Sequence, residues 1–176
     1  LQGHPIMAKT ESFFIRKTVN IDNSNAFFQD SIDLGSFVNA LEKSVLRVHS
    51  ISATFSDATG RSNSILASSS AAAQWQLTTQ SQGDIILPSD RSVISTGKIV
   101  AYRPQASDGL AAQVSHDFDV LPQTWVQGYL IATDQIFLGG AASTGFAGNV
   151  YVSLTLECSV ESMSTADAMS LALSQQ

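Results

Sequence analysis

The chain has 176 residues, 44% of them hydrophobic and only 14% charged, with nine Lys+Arg, fifteen Asp+Glu and a formal net charge of −6. This length supplies one domain with a sizeable core. The scattered cations argue against strong nucleic-acid binding, which needs them clustered. The single cysteine, Cys158, excludes an internal disulfide, and no apolar run reaches the ~20 residues of a transmembrane helix.

Leu1–Ile6 precedes Met7 and reads as an expression scar, so the domain is expected over residues 7–163, with a C-terminal helix over 164–176. Phe13, Ile15, Val19 and Ile21 alternate on one strand face, broken at Lys17. Phe28, Ile32 and Leu34 alternate on another, broken at Asp30. Ser36 suits a helix cap, and Phe37 and Leu41 lie four apart, which predicts a short helix near residues 36–42. Leu46 and Val48 then share one phase, while Ile51, Ala53 and Phe55 share the other. A phase change at His49-Ser50 predicts a β-bulge in a long strand.

"SDATGRSNS" reads as a loop. In "SILASSSAAAQWQL" the Ser/Ala part fits a loop or one helical turn, with a strand from Trp75. Further strands are expected at Ser92–Arg103, Ala112–Val120, Thr124–Ala132 and Gln135–Leu138. Trp125–Ala132 is apolar enough for cover on both faces. "GGAASTGFAGN" reads as a long flexible connection.

Val150, Val152, Leu154, Leu156, Cys158 and Val160 alternate with mostly polar residues, a half-buried strand with Cys158 as a small core hydrophobe. Ser164 followed by Asp167 forms the start signal of a helix, and Met163 before the cap suits the first turn. Met169, Leu171 and Leu173, widened by Ala168 and Ala172, form an apolar stripe. So short a helix is marginal alone and must dock on its own sheet or on a neighbouring subunit. Met169, Leu171 and Leu173 are thus the candidate assembly residues.

Catalytic signals are missing. "QVSHDFDV" carries His116, Asp117 and Asp119, but on a strand His116 points away from the two aspartates. Asp117 and Asp119 are the candidate metal ligands, and a Ca²⁺ site there would need oxygens from a neighbouring segment; the bland reading is a solvated strand face. His116 and His49 read as structural histidines. "GGAASTG" lacks the G-K-[ST] ending of a phosphate loop and precedes a strand. Asp84, Asp90, Asp108 and Asp134 offer acid pairs only as any acidic chain does. Trp75 and Trp125 sit in strand patterns, which favours core or interface roles over sugar stacking. No cofactor is expected, and the chain is not expected to be an enzyme.

Many strands parted by turn-rich loops predict an all-β, two-sheet β-sandwich of jelly-roll type, with the short helix near 36–42 and the C-terminal helix. The closing segment "GYLIATDQIFLGGAASTGFAGNVYVSLTLECSVE" resembles the last strand pair of single jelly-roll capsid proteins of icosahedral viruses, and the pattern extends over most of Phe13–Glu161. The resemblance implies a coat protein located in the virion, whose partners are copies of itself and other capsid proteins. This chain departs from many such coats in lacking a basic arm. The alternative is a β-sandwich recognition module, an adhesin or carbohydrate-binding domain at an extracellular surface.

Overall fold

The computed structural model describes residues 11–39, 41, 43–104, 113–116 and 123–176; of residues 113–116 and 123 it describes the backbone only. The strands are β1 (Phe13–Asp22), β2 (Phe27–Asp33), β3 (Ser44–Ser56), β4 (Ser69–Thr78), β5 (Val93–Arg103), β6 (Gln113–His116), β7 (Gln123–Ile131), β8 (Gln135–Ala142) and β9 (Val150–Ser162), followed by α1 (Thr165–Ser174). They form a four-stranded sheet, β1-β9-β3-β7, and a five-stranded sheet, β2-β8-β4-β5-β6, with every pairing antiparallel.

Leaving the short β6 aside, the pairings are nested. β4 pairs with β5, β3 with β7, β2 with β8 and β1 with β9. The chain is thus one long hairpin folded back on itself, with alternate rungs assigned to alternate sheets. That is the wiring of a jelly roll, the all-β sandwich expected from the strand pattern.

The inner faces meet in a single core. Val48, Ile51, Ala53, Leu154 and Leu156 of the first sheet face Ala73, Trp75, Leu77, Ile136 and Leu138 of the second, and all are buried. Size is matched across strands: Trp75 lies opposite Gly97 on β5 and Gly140 on β8. The glycine at 140 is required, because a Cβ there would stand 2.6 Å from the Gln74 carbonyl and 3.0 Å from Ile21.

The charges that break the two inner faces meet each other. Lys17 on β1 and Asp30 on β2 pair at 2.7 Å where the sheets come together along one side. Phe28 keeps the phase of Ile32 but sits toward this rim, so it stays partly exposed. The bulge in β3 is where the phase change put it, with the register shifting between Val48 and Ser50 against both neighbours.

Several expectations are corrected. Residues 35–37 form a turn rather than the start of a helix near 36–42. Leu34 accepts from the amides of Phe37 and Val38, Val38 drops into the core, and Asn39 bridges to Ser44. Leu41 is exposed and in a 3₁₀ turn, and residues 40 and 42 lie outside the described residues, so it is over residues 36–39 that the expected helix is replaced. The Ser/Ala stretch is strand from Ser69 onward, because Ala71 and Ala73 pack inward with the period of Trp75 and Leu77. β8 runs through Gly139–Ala142, and the rest of "GGAASTGFAGN" is tied down. Phe146 bridges to Ile65, Leu66 donates to the Gly145 carbonyl and the Asn23 side-chain nitrogen donates to the Phe146 carbonyl. Trp125–Ala132 is not covered on both faces, since Val126 and Gln127 are exposed.

Candidate functional site

The surface that stands out lies where α1 meets the end of the first sheet. Ser164 caps α1 as its spacing with Asp167 predicted, its hydroxyl accepting from the Asp167 amide at 3.1 Å. The helix docks on its own sheet. Ala168 is fully buried against Val45 and Ala132, with Leu130, Met163, Leu171 and Ala172 packed around them. The docking face is therefore Ala168, Leu171, Ala172 and Gln175, spaced as i, i+3, i+4 and i+7. Of the three candidate assembly residues, Leu171 faces this cluster, whereas Met169 and Leu173 point out, 46% and 66% exposed.

Gln175, just past the last turn, is buried. Its side-chain oxygen accepts from the Ala132 amide at 3.0 Å, and its side-chain nitrogen donates to the Leu130 carbonyl at 2.6 Å. Its own carbonyl accepts from the Thr79 hydroxyl at 2.6 Å and from the Gln80 side chain at 3.3 Å. Leu130 belongs to the end of β7 in the first sheet and Ala132 follows directly after that strand; Thr79 and Gln80 follow β4 in the second. Burial pushes the neighbouring Tyr129 phenol up, and a hydrogen bond with Gln175 partly offsets that.

Beside the helix, the outer face of β3 and β9 carries a polar cluster that the alternating pattern placed in solvent. The Glu161 carboxylate is buried and pairs with Arg47 at 2.6 Å, and this contact holds the guanidinium's pKa above its ordinary value. Arg47 also donates to the Gln127 carbonyl. His49, displaced by the bulge, shares a 2.8 Å hydrogen bond with the Ser159 hydroxyl. Ser159 and Glu161 are both buried, although they stand on the polar phase of β9.

β7 has its own bulge. Its partners on β3 pass from Val48↔Tyr129 to Ser50↔Thr124, so residues 125–128 stand out of the ladder. Gly128 has φ +77°, and a Cβ there would lie 2.9 Å from both Arg47 Cγ and the Val48 carbonyl, so only glycine serves the turn. Trp125 packs on Tyr129 with ring centroids 5.7 Å apart, and Val126 is fully exposed.

The remaining sequence candidates do not assemble a reactive centre. Asp117, Asp119 and Asp108 lie outside the described residues, and of His116 only the backbone is described, within β6. Among the described residues, no three of His, Cys, Asp and Glu gather as a metal site would require. Asp90 closes a turn through the Ser92 amide and hydroxyl, which lowers its pKa, and the Asp84 carboxylate accepts from the Ile85 amide. Asp134 lines an open cleft of about 600 Å³ with Thr79, Gln80, Gln135, Phe137 and Gln176. Trp75 is buried, so it presents no face to a sugar. Cys158 is buried and its pKa is pushed up to about 12, first by burial and then by Glu157, which makes it an inert thiol.

Gln175 and the Arg47–Glu161 pair were missed from the sequence. The spacing of Ala168, Leu171 and Ala172 carried a signal for the docking face. Nothing local marks a terminal glutamine, or an acid on a polar strand face, as buried.

No family model matches the chain, and no curated protein matches it. Solved structures do. A polyomavirus VP1 described as the Merkel cell polyomavirus unassembled pentamer is 9% identical, covering 91% of this chain and 97% of that one with a TM-score of 0.40. VP1 of trichodysplasia spinulosa-associated polyomavirus, in complex with GM1 oligosaccharide, is 7% identical over 93% of this chain and 98% of its own, with a TM-score of 0.42. A Desmodium yellow mottle tymovirus chain is 10% identical over 89% and 93%, with a TM-score of 0.31. These likenesses to jelly-roll capsid proteins are loose, and it is the chain's own nested strand order that makes it a jelly roll.

Proposed function

We propose that this chain is a structural coat subunit, not an enzyme, that associates with copies of itself and with other capsid proteins into an icosahedral viral shell and resides in the virion. The observation that carries the reading is the pair Met169 and Leu173. They stand exposed on a helix whose opposite face is already packed on its own sheet. Burying side chains of this kind stabilises a contact by about 1.5–3 kcal/mol each. A surface low in charge costs little to desolvate, so many modest contacts can add up in a shell. Two of the cations, Lys17 and Arg47, are already paired within the chain. Together with the net charge of −6, this supports weak, non-sequence-specific binding to nucleic acid.

The test is sedimentation velocity with negative-stain imaging over a range of protein and salt concentrations. Closed particles or discrete oligomers are expected, reduced by Met169→Asp and Leu173→Asp without loss of the β-sheet circular dichroism signal. A strict monomer under all conditions would overturn the reading.

A further inference from the structure

Among the described residues β7 is an edge of the first sheet, with β3 as its one strand neighbour. An edge strand offers free N–H and C=O groups to any other strand, and folded proteins block such edges. Here two devices act in sequence. The outward bulge of residues 125–128 breaks the first part of the edge. Past it, Leu130 and Ala132 present the carbonyl and the amide that an added strand would take up, and both are held by the Gln175 side chain. A primary amide presents an N–H donor beside a carbonyl acceptor, the same pair that a backbone residue of a neighbouring strand supplies.

We propose that Gln175 is a strand-mimicking clasp: it occupies the pairing positions of the β7 edge, ties that edge to the second sheet through Thr79 and Gln80, and keeps it closed to strand addition from a second copy of the chain. The helix gives the clasp its reach. Ala168, Leu171 and Ala172 seat α1 on Val45 and Ala132, which sets Gln175 one turn further along, against Leu130 and Ala132. The Gln175 amide N–H is itself held by the Leu171 and Ala172 carbonyls, so the residue is fixed from its own helix as well. This surface is separate from Met169 and Leu173, and the inference does not rest on the shell reading.

The test compares hydrogen exchange at the Ala132 amide in the wild type, Gln175→Ala and Gln175→Glu at pH 7 and near pH 4, with each rate referred to the unstructured chain at that pH. Gln175→Ala should lose roughly tenfold of the protection at Ala132, the equivalent of about one hydrogen bond, at either pH. Amides in the β3–β9 pairing report whether the sheet itself holds. Gln175→Glu separates the clasp from mere bulk. A carboxylate sets an oxygen against the Leu130 carbonyl oxygen and is driven off the edge, taking the acceptor of the Ala132 amide with it, whereas a protonated carboxyl donates to Leu130 and stays seated. Protection should therefore be low at pH 7 and regained near pH 4, about the ordinary glutamate range. Equal protection in all three proteins, or a Gln175→Glu variant indifferent to pH, overturns the clasp. In sedimentation the opened edge should let Gln175→Ala associate at lower concentration than the wild type. Loosened exchange with no added association overturns the guarding role.

Discussion

Arg47 serves two neighbours at once. Its guanidinium pairs with the buried Glu161 carboxylate and also holds the Gln127 carbonyl of the β7 bulge, while Gly128 lets the bulge pass close to its stem. Removing one partner of a buried pair is far more costly than removing both, because a desolvated charge is left behind. Arg47→Met is expected to destabilise the domain by about 3 kcal/mol. Arg47→Met combined with Glu161→Gln should recover a large part of that. Urea unfolding of the three proteins, compared at their midpoints, measures both numbers; a double variant no better than the single would show that the cost lies in the bulge and not in the charge. Such coupling between β3, β9 and β7 is invisible in a strand pattern, where Arg47 and Glu161 both stand on the polar phase.

Among the elements, what the alternation records is the face a residue takes, and this was legible for β1, β3 and β9. The bulge at His49 was legible too, because a phase change has few other causes. Three things were not. Ala71 and Ala73 bury as a strand but carry little β signal, since small residues fit inside a sandwich without favouring one. Gly139 and Gly140 read as loop although they are strand, because the demand for close approach comes from Ile21 and Phe27, far off in the chain. The third is the meaning of the interruptions: Lys17 and Asp30 each spoil one pattern, and only the fold pairs them. That pair gives a pH prediction. The Lys17 hydrogen bond, with the Ser31 amide behind it, holds the Asp30 carboxyl below its ordinary range. A depressed folded-state value adds stability above the unfolded value that is lost as pH falls through the folded one, and here salt and exposure weaken it. Lys17→Met keeps the apolar stem and removes the charge. The Asp30 midpoint, followed by NMR, should then rise toward the ordinary range while staying slightly low through Ser31. An unmoved midpoint would mean that the ion pair is not populated in solution.

At the level of the whole molecule, the nested pairing sets how the sheets depend on each other. β9 lies between β1 and β3 and is the strand that joins the two halves of the first sheet. Its partners include Phe13 opposite Cys158, at the two ends of the described sandwich. A chain cut before Val150 is therefore expected to lack native sheet structure altogether, as judged by dispersion of its amide NMR spectrum. A well-dispersed spectrum from residues 7–149 would contradict this.

The position of β9 also bears on the time at which the protein comes into being during its synthesis. Contacts this distant in sequence form slowly, and they cannot begin to form until both partners exist. While the ribosome is still making residues 13–149, β1 and β3 wait with their shared neighbour unmade, and the inner faces of both sheets have no complete partner. The first sheet closes only when β9 emerges, and α1 and Gln175 follow it directly. Completion of the fold thus waits on the last-made segment: an interrupted chain has neither the closed first sheet nor the seated helix, and its open edges and apolar faces leave it prone to aggregate.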